Sequence, residues 1–181
     1  MDDVDRVLAA TRAVATRHGL TAPSRATFLA RFRLPVVELL AGLGVDAGDL
    51  DAAEREWNTL VASRPARLTE GAGRMIEKLG AAGLAVGVVS AASLEVVRTD
   101  LAALGLTGAM TFVVRAAHPK RAALAYSGDT EYDMEEALAA GSVPIGFPGG
   151  YRPAAALAAA GAHTVVRHLR EVPEVILGPP P

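Results

Sequence analysis

The sequence predicts an α/β fold with a mostly parallel sheet, preceded by an all-helical unit. In the first third of the chain, apolar residues recur at helical spacing and no strand-like run appears. After Pro65, short apolar runs alternate with helical stretches, which is typical of a parallel sheet with helices on its faces. The continuous apolar run from Leu84 to Val89 has the composition of a buried parallel strand.

We expect residues 1–65 to form the helical unit. Apolar residues at three- and four-residue steps predict a helix from Asp3 to His18. Ser24 is a suitable N-cap for a second, short helix, and Pro35 stands where a third would start. A fourth helix is predicted from about Leu50 to Ser63, so that no strand is expected before the α/β part.

Residues 66–181 are expected to form the α/β part, a Rossmann-like arrangement of alternating helices and strands. The predicted helices are residues 71–79, 93–104, 131–140 and 153–159. The predicted strands are residues 84–89, 111–114, 122–126, 143–147 and 163–166.

Composition limits the classes of function. The chain has 181 residues, a formal net charge of -2 and no dense Lys/Arg run, which argues against binding to nucleic acid or to a membrane surface. It has no cysteine, so disulfides, thiolate metal sites and a cysteine nucleophile are excluded. No signal peptide or membrane span is visible. We therefore expect a cytoplasmic protein whose partner is a small phosphorylated metabolite.

The sharpest local signal is the segment Ser127-Gly128-Asp129-Thr130, which closes an apolar run and is followed by Asp133. If a helix starts at Thr130, the carboxylates of Asp129 and Asp133 can face one cleft. Carboxylate oxygens suit Mg²⁺, which keeps waters or phosphate oxygens in its other positions. The alternative is that Asp129 is a helix N-cap and Asp133 a solvated helix residue.

Two further candidates could contact a phosphate. Ser90 lies at the carboxyl end of the predicted buried strand, where open α/β sheets bind ligands, and the backbone amides that follow, from Ala91 onward, could join its hydroxyl. Lys120, one of only two lysines, offers a compact positive charge. The alternatives are a turn or cap residue for Ser90 and a solvated loop residue for Lys120, while Ser93 is expected to cap the next helix.

In this order, the VVS sequence at 88–90, Lys120 and the segment SGDTEYDMEEALAAG at 127–141 resemble the second, third and fourth motifs of the haloacid dehalogenase superfamily. The nearest subgroup resembles the phosphoglycolate phosphatases and β-phosphoglucomutase-like enzymes, and RHGL at 17–20 with LLAGLGV at 39–45 resembles their helical cap. The resemblance implies a Mg²⁺-dependent phosphomonoesterase. Ser90 would bind phosphoryl oxygens, Lys120 would steady nucleophile and phosphate, and Asp129 with Asp133 would hold the metal.

The sequence departs from the family pattern at two places. Family members use the first aspartate of a DxDxT motif, at the end of a central strand, as a nucleophile, and no apolar strand precedes the first helix of this sequence. Asp3-Val4-Asp5 only echoes that motif and is needed for the helix. Only seven residues, 115–121, link two predicted strands, where a parallel crossover normally takes a dozen or more residues.

These departures leave several hypotheses open. The chain is expected to be an inactive form of the phosphatase, with its nucleophile and first strand absent; the alternatives are a non-catalytic phosphate- or Mg²⁺-binding or regulatory relative and a truncated gene product. Loss of a central strand would leave strand 84–89 and strand 122–126 with unpaired edges. We expect those strands either to pair directly or to recruit a strand from another molecule, giving self-association.

Overall fold

The computed structural model describes residues 3–90, 92–115 and 125–178. Its helices are α1 Val4–Arg17, α2 Arg25–Arg31, α3 Val36–Leu43, α4 Leu50–Ala62, α5 Ala72–Ala81, α6 Leu94–Ala103, α7 Glu131–Ala139, α8 Ala154–Ala159 and α9 Val172–Leu177. Its strands are β1 Gly87–Ser90, β2 Phe112–Arg115, β3 Ala125–Gly128, β4 Val143–Gly146 and β5 Thr164–Val165. The predicted α/β class with a leading helical unit is confirmed.

Local chemistry explains where the first helices begin. Ser24 accepts a hydrogen bond from the amide of Thr27 at 3.0 Å and caps α2, as the sequence predicts. Pro35 is the N-cap of α3. Four helices and no strand occupy the described part of residues 1–65. None of the helices in the described part of the chain is long and apolar enough to cross a membrane.

The helical unit buries one face of each helix in a common core that includes Val14, Phe28, Leu40 and Trp57. Val96 of α6 belongs to the same cluster, so the unit packs directly on the α/β part. The division into two domains at residue 65 stays a prediction. A second, smaller core lies between β4, β5 and the C-terminal helix, around Ile145.

The strands form two separate parallel sheets. One consists of β1 and β2, and the other has the order β3-β4-β5. Among the described residues, β1 and β3 share no hydrogen bond, so the expected alternative of direct pairing between these strands is not found. Every residue of β1 and β3 is half-buried, whereas Pro144, Ile145 and Gly146 of β4 are buried. Among the described strands, β1 therefore has β2 as a neighbour on one edge and no strand on the other.

Several bounds differ from the sequence prediction, and one helix was not predicted. The strand predicted at 84–89 begins only at Gly87 and reaches Ser90, because its pairing partner β2 begins at Phe112. Residues 122–124 of the strand predicted at 122–126, and the crossover at 116–121, lie outside the described residues; β3 begins at Ala125. The helix α9 was not expected, since Pro173 interrupts its apolar pattern; the proline stands in the first turn, where its missing N–H costs nothing.

A buried ion pair joins the helical unit to the α/β part. Arg6 of α1 donates from Nη1 to Oδ1 of Asp100 on α6 at 2.9 Å, and from Nη2 to Oδ2. Both side chains are less than 10% exposed. Arg6 Nη1 also reaches the carbonyl of Arg64 at 3.4 Å, at the end of the helical unit. The pair thus fixes α1, α6 and the chain after α4 to one another.

We expect Arg6→Ala to lower the free energy of unfolding by about 3 to 5 kcal/mol, because it leaves the Asp100 carboxylate buried without its partner. The double replacement Arg6→Met with Asp100→Leu should cost less than Arg6→Ala, since it removes both charges. Urea unfolding measures both.

The exposed pair Arg25 and Asp5 is the matched control. Arg25→Ala should change the free energy of unfolding by less than about 1 kcal/mol. Equal losses for Arg6→Ala and Arg25→Ala would show that burial of the Arg6 pair has no special weight.

Candidate functional site

The segment after β3 forms a capping box at the start of α7. Thr130 is the N-cap residue, and its hydroxyl accepts a hydrogen bond from the amide of Asp133 at 3.2 Å. Asp133 in turn accepts from the amide of Thr130 at 3.1 Å, which completes the reciprocal pair. The structure therefore gives the N-cap position to Thr130 rather than to Asp129, which stands one residue earlier.

Asp133 is held by four donors. Its Oδ2 accepts from the amides of Asp129, at 3.2 Å, and Thr130, and from the Thr130 hydroxyl at 2.7 Å. Its Oδ1 accepts from the hydroxyl of Tyr126 at 2.9 Å. A Cβ atom at Gly128 would lie 2.3 Å from the Asp133 Cβ, so only glycine permits this approach. Asp133 is thus a half-buried structural residue rather than a solvated one.

Asp129 lies at the carboxyl end of β3, and its pKa is well above that of an ordinary aspartate. Burial, then the charges of Asp133 and Asp3, raise the pKa of Asp129 to about 7. Within the described part of the chain, no side chain donates a hydrogen bond to its carboxylate. Asp129 is half-buried, and a proton or a cation would stabilise a carboxylate in this state.

Three residues near Asp129 were not expected from the sequence. Asp3, the residue before α1, accepts a hydrogen bond from the hydroxyl of Tyr151 at 2.9 Å, and burial raises the pKa of Asp3. Gly149 lies so close that a Cβ atom there would stand 2.7 Å from Oδ2 of Asp129. The Gly149-Gly150 pair, which reads as a simple turn in the sequence, is therefore the backbone wall beside Asp129.

Arg152 connects the helical unit to the start of α7, next to this site. Its Nε donates to both oxygens of Glu131 at 2.8 and 2.6 Å, while Nη1 and Nη2 donate to the carbonyls of Leu29 and Phe32 at 2.7 and 2.8 Å. Those carbonyls belong to the end of α2, where intrahelical donors run out. Tyr151 adds a ring contact to Phe32 at a centroid distance of 4.2 Å.

A cleft of about 220 Å³ opens between the helical unit and the start of α7. Phe32, Arg33 and Leu34 line one wall, and Thr130 and Tyr132 line another. The cleft therefore reaches the residue that follows Asp129. Neither Ser90 nor Asp133 lines it.

Ser90 ends β1, as predicted, and its hydroxyl accepts a hydrogen bond from the amide of Ala92 at 3.2 Å. Ser93 caps α6 by accepting from the amide of Val96, as expected. Ala91 and Lys120 lie outside the described residues, so their predicted contacts with phosphate stay predictions. Asp129 and Asp133 are brought together, and Ser90 stands at the end of the other sheet.

Asp3 and Asp5 do not end a strand. Asp3 precedes α1, and Asp5, within α1, is an exposed residue paired with Arg25. Among the described residues, no group of three or more carboxylate or histidine side chains is arranged to hold a metal ion. Asp129 and Asp133, the two carboxylates named from the sequence, both lie at the carboxyl end of β3. Asp133 is part of the capping box.

Residues 1–123 match the sequence family described as haloacid dehalogenase-like hydrolase. The chain belongs to this family. The resemblance found in the sequence motifs is thereby confirmed, and the helical unit with the parallel strands is the family's Rossmann-like fold. No curated protein sequence matches the chain.

Solved structures share this hydrolase fold at low sequence identity. A predicted phosphoglycolate phosphatase from Haemophilus somnus has a TM-score of 0.78 at 14% identity, with 96% of this chain and 91% of that chain covered. A predicted phosphatase from Clostridium acetobutylicum has a TM-score of 0.79 at 15% identity, covering 97% and 92%. A family IA, variant 3 hydrolase from Entamoeba histolytica has a TM-score of 0.71 at 16% identity, covering 94% and 89%.

The raised pKa of Asp129 predicts a pH-dependent stability. Its pKa in the folded chain, about 7, is above the ordinary aspartate value of 3.8, so the folded state binds the proton more tightly than the unfolded state does. The Asp129 contribution to stability is therefore fully present below about pH 4 and is lost as the pH rises toward 7. We expect Asp129→Asn to remove this loss, so that the variant gains stability relative to the wild type between pH 5 and pH 8.

Urea unfolding of both proteins at several pH values measures the effect. Asp51→Asn, at an exposed position of α4, is the matched control and should leave the pH dependence unchanged. Parallel pH profiles for the wild type and Asp129→Asn would contradict a raised pKa at Asp129.

Proposed function

We propose that this hydrolase-family chain binds the phosphoryl group of a small phosphorylated metabolite together with Mg²⁺, and that it does not hydrolyse the ester by itself. The observation that carries the proposal is Asp129, a half-buried carboxylate that follows β3, with a raised pKa and no side-chain donor among the described residues. The similarity to a predicted phosphoglycolate phosphatase supports a phosphomonoester of a small acid as the ligand class.

The donor set fits a weakly bound Mg²⁺. Asp129 can supply a direct oxygen ligand, and a dication would offset the cost of its ionised form in a half-buried setting. Asp133 already accepts four hydrogen bonds, so it would act mainly by fixing the backbone of Asp129. Bound Mg²⁺ would neutralise charge on the phosphoryl oxygens.

The phosphoryl group would contact residues at the end of β1. The Ser90 hydroxyl can donate to a phosphate oxygen while it continues to accept from the amide of Ala92. Ala91 would add a backbone amide, and Lys120 would add positive charge, as the family resemblance implies. These contacts position an anion without forming or breaking a covalent bond.

The absence of turnover follows from the carboxylates at the site. Hydrolysis in this family proceeds through a carboxylate nucleophile. Asp133 is committed to the capping box, and Asp129 is the proposed metal ligand. Asp3 is bound to Tyr151, and burial raises its pKa, which favours the protonated, less nucleophilic acid. None of the three is placed at the end of a strand between β1 and β3.

We expect the purified chain to bind Mg²⁺ with a dissociation constant of about 1 mM, because few carboxylate oxygens replace the waters that Mg²⁺ gives up reluctantly. Asp129→Asn should abolish this binding, whereas Asp51→Asn should preserve it. With Mg²⁺ present, p-nitrophenyl phosphate and small sugar phosphates should release no phosphate above a mock preparation. Calorimetry and a phosphate-release assay make the two measurements.

Two results would contradict this function. Turnover that Asp129→Ala abolishes would show that the chain contains a working nucleophile. Mg²⁺ binding that is unchanged in Asp129→Asn would place the metal elsewhere. Micromolar affinity would show that a further ligand joins Asp129.

We also propose that the chain self-associates through the edge of β1. β1 presents one edge without a neighbouring strand among the described residues, and all its residues are half-buried. Such edges favour pairing with another strand. Buried backbone groups left unpaired cost about 1 to 3 kcal/mol each, which pairing recovers.

We expect sedimentation to show concentration-dependent association, and Val88→Lys, which places a charge on the edge strand β1, to weaken it. The matched control is Val175→Lys, at an exposed position of α9, which should leave association unchanged. A monomer at all concentrations that melts cooperatively above about 65 °C would contradict an uncompensated sheet edge.

A further inference from the structure

A second cleft, of about 470 Å³, lies away from Asp129 at the carboxyl end of β5. It is lined by the start of α5 and by the 3₁₀ turn Leu169–Glu171, which follows β5. Because β4 separates β5 from β3, this cleft and the candidate site are at the same end of the sheet but two strands apart. No residue of the candidate site lines the cleft.

Three of the residues that line this cleft have basic side chains. Arg74 projects from α5, and His168 and Arg170 come from the segment after β5. Glu70 is the single carboxylate in the lining. Within the described part of the chain, neither guanidinium forms an ion pair with a carboxylate. Two guanidiniums therefore face one cleft with their donors available.

Close backbone packing fixes the positions of Arg74 and Arg170 relative to each other. Gly71 has a left-handed conformation, with φ +82°, and a Cβ atom there would lie 3.1 Å from the backbone nitrogen of Arg170. The start of α5 is thus packed against the backbone of the 3₁₀ turn. Ala72 of α5 and Leu169 of the 3₁₀ turn are buried in the same core cluster, which anchors both segments to the core. Arg74 and Arg170 therefore start from a rigid framework.

Two backbone amides add hydrogen-bond donors to this cleft. The amide of Ala72 is bonded to the carbonyl of Thr69, and that of Met75 to Gly71. The amides of Gly73 and Arg74, both in the cleft lining, have no acceptor among the described residues. Guanidinium groups and free amides in one cleft suit an oxyanion that accepts several hydrogen bonds.

We propose that this cleft is a second binding site, for a phosphate-type oxyanion carried by a small metabolite. The site is independent of the proposed function at Asp129. Phosphate satisfies two guanidiniums better than a carboxylate does, because it offers three terminal oxygens and up to two negative charges. The volume leaves room for an organic group on the fourth oxygen.

The test is titration of ¹⁵N-labelled protein with inorganic phosphate and, in a second arm, with glycerol 2-phosphate, at constant ionic strength. The protein carries Ser90→Ala to weaken phosphate binding at the candidate site. We expect saturable shifts of the Gly73 and Arg74 amide signals. Arg170→Gln and Arg74→Gln should each weaken binding about tenfold, which corresponds to about 1.4 kcal/mol.

Arg167→Gln is the matched control, because Arg167 is exposed, lies three residues before Arg170 and does not line the cleft. It should leave affinity unchanged. Tighter binding of glycerol 2-phosphate than of inorganic phosphate would indicate a metabolite ligand, and the reverse would indicate free phosphate. Shifts that chloride reproduces, shifts that persist in Arg74→Gln with Arg170→Gln, or no shifts at all would overturn the site.

Discussion

The contact between Arg6 and Asp100 decides how the two parts of the chain meet. Two charges can be kept out of water only when each satisfies the other, and here a two-point guanidinium–carboxylate contact does so. Because Nε of Arg6 has no partner among the described residues, the pair is costly as well as specific. It selects one orientation of α1 on α6, and that orientation brings Asp3 to Tyr151.

From that orientation follows the chemistry at the end of β3. Asp3 is close enough that its charge helps to raise the pKa of Asp129, so the position of α1 influences the candidate site directly. Arg152 makes the complementary connection, since it joins Glu131 of α7 to the last carbonyls of α2. The helical unit therefore takes part in the electrostatics of the site and does more than cover it.

The sequence predicts those features that depend on local patterns. Helical spacing, Ser24, Ser93 and the apolar runs indicate the elements and most of their bounds, and the motif order indicates the family. What it does not predict depends on contacts between distant residues: Tyr151 with Asp3, Arg152 with α2, and Arg6 with Asp100 are separated by more than ninety positions. Asp133 shows a second limit, one within a local pattern, because its spacing suits a metal ligand and a capping box equally well.

The split sheet connects these observations. A parallel strand is normally covered on both faces and paired on both edges, and its residues are then buried, as Pro144, Ile145 and Gly146 of β4 are. β1 and β3 are as long as β4, but every residue of both strands is only half-buried. Ser90 and Asp129 end these two strands and do not share a sheet. Any ligand that contacts both must bridge the gap, and bridging would itself stabilise the two sheets against each other.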